Sequence, residues 1–121
     1  MYARIVKLLD KSVLMPSEET SLEESECISL LDIVKLSITG RCHFGSDTNK
    51  PVTIKIYSSQ DADSWDTEPL ISFNLPCHTG QWSQKTVMLF PDVMYIKASA
   101  KNLNTSGSVT NLMVKAFVAE P

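Results

Sequence analysis

Apolar and polar side chains alternate one by one along several stretches of this chain. That period places successive side chains on opposite faces of a β-strand, so each stretch predicts a strand with one buried and one exposed face. The stretches cover residues 34–39, 52–57, 71–75, 94–101 and 112–118, with a shorter apolar run at 86–90. Loops rich in Gly, Pro, Asn and Ser separate them. Strands at this spacing predict an all-β fold, an antiparallel β-sandwich of jelly-roll type with about eight or nine strands.

The N-terminal segment, residues 3–10, fits two patterns. Ile5 and Leu9 would share one stripe of a helix, whereas Val6 and Leu8 would share one face of a strand. We favour the strand, because the segment is short and no helix-capping residue precedes it.

The acidic segment that follows, residues 17–26, also leaves two structures open. Ser21 and Glu24 have the spacing of a helix capping box, which predicts a helix over residues 22–31. The alternative is an acidic loop followed by a short strand at residues 26–30. We favour the loop and the short strand, with the acids as a solvated surface rather than a patch that binds a partner.

Composition and charge narrow the classes of function. The chain has 121 residues, 43% of them hydrophobic and 21% charged, as expected for one globular domain over residues 1–121. The net charge of −3 argues against nucleic-acid binding, which needs a basic surface. No apolar run approaches the roughly 18 residues that span a bilayer, so we expect no membrane partner. Three cysteines make no disulfide framework, and we expect a cytoplasmic protein or a virion component.

The order of the strands also predicts which loops meet. If consecutive strands reverse direction, one end of the sandwich holds loops 43–51, 76–83 and 102–108, and the other holds turns 59–69 and 91–93. Because loops at one end of a sandwich commonly carry binding sites, we predict a ligand-binding set at the first end. Its members are His43, His78, Gln81, Trp82 and Asn102.

Two Cys-His dipeptides, Cys42-His43 and Cys77-His78, fall at that same end. Two thiolates and two imidazoles are a zinc-competent set. Adjacent residues of a strand point to opposite faces, however, so a dipeptide supplies both ligands only from a loop. The alternatives are a Cys42–Cys77 disulfide or free, partly buried thiols. We favour free thiols and predict neither a metal nor a cofactor.

The turn at residues 59–69 carries Asp61, Asp63 and Asp66 around Trp65. Asp-x-Asp spacing occurs in calcium sites, but this turn lacks the glycine and the distal bidentate glutamate of a calcium loop. Asp and Ser side chains also hydrogen-bond to the backbone of tight turns. We therefore predict a structural turn with Trp65 as a packing residue.

Trp82 and Gln81 indicate one chemistry for the predicted site, because an aromatic ring with neighbouring amides commonly holds a sugar. The alternative is a tryptophan that packs across the mouth of the sandwich. Catalytic signatures such as G-x-S-x-G, H-E-x-x-H and G-x-G-x-x-G do not occur in the sequence. We therefore predict that the protein is not an enzyme.

Two stretches carry a resemblance to a known family. The segments IKIYSSQDADSWDT and MYIKASAKN resemble parts of discoidin-type, galactose-binding-like jelly rolls, with a strand ending in Ser-x-Asp-x-x-x-Trp and a later aromatic-Ile-Lys strand. The chain departs from that family in being shorter and in lacking its bracketing cysteine pair. It is also similar to small β-sandwich modules of bacteriophage tail and head decoration proteins. Either resemblance implies a binding or assembly role and carries over no ligand residue.

Two functions follow from these observations. The first is a non-enzymatic structural or protein-interaction module, self-associating or part of a phage or virus-like particle, with outward apolar residues at its interface. Those residues are Tyr57, Met88, Met113 and Phe117. The second is carbohydrate binding by the loop end around Trp82. The expected partners are other protein chains, a second copy of this chain, or a carbohydrate.

Overall fold

The computed structural model of the protein describes residues 2–121, which form eight β-strands and one short 3-10 helix. The strands are β1 (Tyr2–Leu14), β2 (Ile28–Ser29), β3 (Lys35–Phe44), β4 (Val52–Ser59), β5 (Ile71–Leu75), β6 (Trp82–Leu89), β7 (Tyr95–Asn102) and β8 (Val109–Glu120). The 3-10 helix, Leu22–Glu24, lies between β1 and β2. No helix of the described chain is long and apolar enough to cross a membrane.

The strands form two four-stranded sheets in which all neighbours are antiparallel. The first sheet has the order β1-β8-β3-β6, and the second has the order β2-β7-β4-β5. Only β4 and β5 follow one another within a sheet, and every other connection crosses between the sheets. Eight strands wound in this way across two sheets are a jelly roll. The predicted fold class is therefore confirmed.

The core lies between the sheets and is built from the alternating apolar positions. On β4 and β8 every second side chain is buried, as predicted: Val52, Ile54, Ile56, Leu112, Val114, Ala116 and Val118. Burying one such valine, leucine or isoleucine contributes about 1.5–3 kcal/mol. Gly40 of β3 faces the same space, where an added Cβ would lie 3.3 Å from Ile54 Cγ1, so glycine permits the close approach of the sheets.

Two strand boundaries differ from the prediction. β3 runs to Phe44 and β6 begins at Trp82, so His43 and Trp82 lie in strands rather than in loops. Val34 and Met94, predicted on inner faces, are exposed instead. Each of these two residues precedes its strand by one position, where the pleat no longer directs the side chain inward.

β1 is a strand along its whole length, which confirms the interpretation favoured for residues 3–10. Its pairing with β8 shifts register between Lys7 and Leu9, which marks a β-bulge. Leu8 and Leu9 are both buried beside this shift. Two consecutive buried residues break the two-residue period, and this explains why the sequence pattern also allowed a helix.

Residues 22–31 contain one 3-10 turn and a short strand instead of a long helix, as favoured. The capping-box spacing is nevertheless used, because the Glu24 carboxylate accepts a hydrogen bond of 2.8 Å from the Ser21 N–H. β2 then pairs with β7 over two residues only.

The rest of the β7 edge is covered by side chains and backbone groups of the loop. The Ser25 hydroxyl accepts a hydrogen bond from the Ala98 N–H at 2.9 Å, and the Thr20 hydroxyl accepts one from the Ala100 N–H at 3.0 Å. Unpaired strand edges invite pairing with other chains. This segment therefore satisfies an edge that β2 is too short to cover.

Candidate functional site

The three loops predicted to share one end of the sandwich are in contact there. The Gly45 N–H donates to the carbonyl of Ser108 at 3.2 Å, and the Thr79 hydroxyl donates to the carbonyl of Thr48 at 2.8 Å. The predicted grouping of these loops is therefore confirmed.

Asn102 does not belong to an exposed site at this end, which corrects its assignment as a ligand-binding residue. The side chain is fully buried. Its Nδ2 donates to the carbonyls of Leu14, Met15 and Gly107 at 2.9–3.3 Å, and its Oδ1 accepts from the N–H and the amide of Asn104. Asn102 is a structural residue that joins three segments of chain.

His78 and Gln81 lie at the loop end as exposed residues. The Gln81 N–H donates to the His78 carbonyl at 2.8 Å, and the Gln81 carbonyl accepts from the Phe44 N–H at 2.9 Å. Neither side chain lines the groove described below. Their role in ligand binding stays a prediction.

The Cys-His dipeptides do not converge on one site. Cys42 is buried on β3 and its neighbour His43 points to the other face, as adjacent strand residues must. Burial, with a smaller effect of Cys77, raises the pKa of the Cys42 thiol to about 12. Cys42 and Cys77 are free thiols, so the alternative of a disulfide is wrong. Within residues 2–121, no three His, Cys, Asp or Glu side chains are grouped as metal ligands.

Trp82 lies on the outer face of the first sheet, beside two residues of β3. The indole is 46% exposed. Its ring meets the His43 ring edge-on, with centroids 5.2 Å apart and planes at 77°. The Arg41 guanidinium lies 4.1 Å from the centroid of the indole, which is a cation–π contact. Trp82 and His43 are thus brought together, and stacking holds Arg41 in place.

A groove of about 370 Å³ runs across this outer face next to Trp82. Its walls come from all four strands of the first sheet: Ile5, Thr39, Arg41, Trp82, Gln84, Asn111, Met113, Lys115 and Phe117. We name these nine residues the basic groove, because its charged members are Arg41 and Lys115. The volume lies within the range of small-ligand sites in proteins.

Asn111 enters the basic groove through an irregularity of β8. The β3–β8 register shifts between Arg41 and His43, and Asn111 has a left-handed φ of 52°. Bulges of this kind redirect a side chain, and asparagine tolerates the left-handed region better than most residues. The sequence pattern missed Arg41, Gln84, Asn111 and Lys115 as site residues. One sequence feature could have pointed to these four residues: each lies on the outward face of its strand. The fold places those three strands side by side.

A second feature of the same outer face is an apolar surface beyond Phe117. Met88 and Phe90 are each 84% exposed, and Val34 and Phe117 are exposed beside them. We name Val34, Met88, Phe90 and Phe117 the apolar patch. Met88 and Phe117 were predicted as outward apolar residues, and the structure places both here. Met113, predicted with them, lines the basic groove instead.

The outer face of the second sheet has a different character. Thr53 donates a hydrogen bond of 2.8 Å to Asn74 across β4 and β5, and Lys55 forms an ion pair of 3.0 Å with Glu19. Tyr57, predicted as an interface residue, is half-buried on this side. The large exposed apolar surface is therefore a property of the first sheet.

Several acids of the β1–β2 connection are paired within the molecule. Lys11 Nζ lies 2.8 Å from Glu24 and 3.1 Å from Glu18. These hydrogen bonds raise the pKa of Lys11, with Glu24 the larger contributor. The Lys11 pairs and the Glu19–Lys55 pair connect this segment to both sheets. The acids are therefore engaged within the molecule, which argues against a patch that binds a partner.

The turn between β4 and β5 is organised by its own side chains, as predicted. Asp61 Oδ1 accepts hydrogen bonds from the N–H groups of Asp63 and Ser64 at 2.9 and 2.8 Å. Asp66 accepts one from the Ser58 hydroxyl at 2.8 Å. Trp65 is half-buried, and the Lys97 ammonium of β7 lies 5.1 Å from the centroid of its ring.

We expect the stability of this turn to fall at acidic pH. The backbone N–H of Ser64, then that of Asp63 and the Ser59 hydroxyl, lower the pKa of the Asp61 carboxyl. A lowered folded-state pKa stabilises the turn above the unfolded pKa, and this contribution is lost as the pH falls through the folded value. We expect an NMR titration to show Asp61 ionising below the ordinary range of aspartate, with the Ser64 amide shift following it. In Asp61→Asn the Ser64 shift should no longer follow pH, and an unchanged titration would contradict the assignment.

No known protein family matches the chain, and no curated protein sequence matches it either. Solved structures share the fold. VP2 of infectious bursal disease virus, from a subviral particle, aligns with a TM-score of 0.54 and 14% identity over 98% of this chain and 32% of VP2. Murine APRIL aligns with a TM-score of 0.52 and 7% identity over 97% of this chain and 98% of that chain.

A CBM4 structure aligns with a TM-score of 0.44 and 16% identity, over 83% of this chain and 62% of that one. The chain spans about a third of the length of VP2. VP2 and APRIL show that the chain is a jelly-roll β-sandwich, and the predicted resemblance to such modules is confirmed for the fold.

Proposed function

We propose that this protein is a non-enzymatic assembly module that binds a second copy of itself through the outer face of its first sheet. The observation that carries the proposal is the asymmetry between the two outer faces. The second sheet presents hydrogen-bonded and ion-paired side chains, whereas the first presents Met88, Phe90 and the rest of the apolar patch. Contiguous exposed apolar surface commonly marks a protein–protein contact.

The fold supports assembly. VP2, which has this fold, is found in a subviral particle. In the present chain the outer face offers the basic groove and the apolar patch side by side, joined by Phe117, which belongs to both. A stable interface buries roughly 800 Å² on each partner, which requires a face of several strands rather than a single loop. A virion or another assembled particle is where such a module would act.

The chemistry of the Cys42 thiol supports the non-enzymatic part of the proposal. A nucleophilic cysteine requires an accessible thiolate. Cys42 is fully buried and its pKa is raised to about 12, so its thiol stays protonated at neutral pH. His43 contacts the Trp82 ring instead of pairing with that thiol.

Removing the apolar side chains should dissociate the assembly. In the double variant Met88→Ser/Phe90→Ser, we expect a loss of about 3 kcal/mol of binding energy, because each buried apolar side chain contributes about 1.5–3 kcal/mol. That loss corresponds to a roughly 100-fold larger dissociation constant. Sedimentation velocity over a concentration series measures it. Tyr57→Ser, which removes an aromatic ring from the other sheet, is the control and should associate like the wild type.

Carbohydrate binding in the basic groove is the second candidate function. It is favoured by the half-exposed Trp82 indole in a groove that also holds the amides of Gln84 and Asn111. Glycan-array binding by the wild type that is lost in Trp82→Ala would support it.

A wild-type protein that stays monomeric at about 0.1 mM, where even a weak interface associates, would contradict the assembly proposal.

A further inference from the structure

Within residues 2–121, the basic groove holds two cations that form no ion pair. Its lining includes Arg41 and Lys115 and no aspartate or glutamate. The ion pairs formed within residues 2–121 involve Lys7, Lys11 and Lys55 instead. Stacking on the indole holds the Arg41 guanidinium at a fixed position over the outer face. The groove is therefore complementary to negative charge, although the whole chain carries −3.

The charged groups of the groove favour an anionic ligand over a neutral sugar, whose hydroxyls would find acceptors only on Thr39, Gln84 and Asn111. A guanidinium offers five N–H donors and an ammonium offers three, and neither can accept. The groove has no carboxylate to accept hydrogen bonds from sugar hydroxyls. In addition, Arg41 covers one side of the indole, so part of the stacking surface is occupied. An acceptor-rich segment with apolar side chains fits better, because Ile5, Met113 and Phe117 line the same groove.

The chain itself presents such a segment, the turn between β4 and β5. Asp63 and Glu68 are exposed there, and their carboxylates accept no hydrogen bond within the described residues. Leu70 is exposed at the end of the turn. The hydrogen bonds to Asp61 hold the turn in one shape, so little conformational entropy is lost on docking.

We infer that the basic groove of one copy binds the β4–β5 turn of a second copy, which places Asp63 and Glu68 near Arg41 and Lys115. This inference rests on the proposed self-association and specifies its geometry. The turn lies at the opposite end of the sandwich from Trp82 and belongs to the other sheet, so the contact joins different surfaces. Such a heterologous contact builds rings or filaments. Two identical grooves facing each other would instead bring like charges together.

Two neutral variants separate the two halves of this contact. Arg41→Gln/Lys115→Gln removes the charge of the groove, and Asp63→Asn/Glu68→Gln removes the charge of the turn. All four side chains are exposed or half-exposed, so both proteins should keep the thermal stability of the wild type. Removing one partner of a close charge pair costs about 2 kcal/mol or more of binding free energy. Each variant alone should therefore associate at least about 30-fold more weakly than the wild type.

An equimolar mixture of the two variants gives the decisive result. One variant keeps an intact turn and the other keeps an intact groove, so one productive contact remains. We expect sedimentation velocity to show a 1:1 heterodimer that does not grow further. Raising the salt concentration should weaken that heterodimer, because its charges are partly exposed.

Two results would overturn the inference and leave the proposed function standing. In the first, both charge variants associate as strongly as the wild type while Met88→Ser/Phe90→Ser dissociates. That result would show a contact through the apolar patch alone. The second is a mixture that remains monomeric although the wild type assembles. A wild type that is itself monomeric would instead reject the proposed function, and the two failures are thereby distinguished.

Discussion

Asn102→Ala is expected to lower the free energy of unfolding by about 4 kcal/mol, because a buried group left without its partner costs about 1–3 kcal/mol and several are affected. The substitution removes the donors to the carbonyls of Leu14, Met15 and Gly107 and the acceptor for Asn104. All of these groups belong to segments that meet at the loop end. Urea denaturation followed by circular dichroism measures the change.

The control for this substitution is Asn74→Ala. Asn74 is exposed and forms one side-chain hydrogen bond, with Thr53. Its removal should cost at most about 1 kcal/mol, the net contribution of a typical hydrogen bond. If Asn102→Ala proved as mild as Asn74→Ala, the junction of the three segments would not depend on Asn102.

Phe44→Ala is expected to cost about 4 kcal/mol of folding free energy, within the range of 3–5 kcal/mol for truncating a buried phenylalanine. Phe44 ends β3 and is fully buried, so its removal leaves a cavity in addition to the lost apolar contact. The same denaturation experiment measures the loss.

Phe90→Ala is the matched control, because it deletes the same side chain from a position that is 84% exposed. In dilute protein it should change the stability by no more than about 0.5 kcal/mol, as surface substitutions do. Its effect should grow with protein concentration, since association stabilises the folded state by mass action. Equal losses for Phe44→Ala and Phe90→Ala in dilute protein would contradict the exposure of the apolar patch.

The alternation of residues was sufficient to place most strands and to identify their buried faces. It also carried information about Asn102 that the loop assignment overlooked. Ile96, Ala98 and Ala100 are buried on β7, and Asn102 continues the same two-residue series. A polar residue at the end of a buried face is expected to be hydrogen-bonded inside the protein, as the structure shows.

Trp82 illustrates a different limit. The sequence marked it as the aromatic member of a site, and the structure brings it together with His43. The loop assignment hid its direction, however, because β6 already begins at Trp82 and directs the ring onto the outer face of the sheet. The site therefore lies on a sheet face beside the loop end, rather than among the loops.

By itself, the sequence determined that this is a jelly-roll-like sandwich, which side chains of most strands face inward, and which loops meet. These properties follow from the pleat of single strands and from their reversal along the chain, and both are local. Only the tertiary structure decided that β3 lies between β6 and β8. That pairing joins segments far apart in sequence, and it alone places Arg41, Trp82 and Lys115 in one groove. The pattern along one strand contains no information about which strand will become its neighbour.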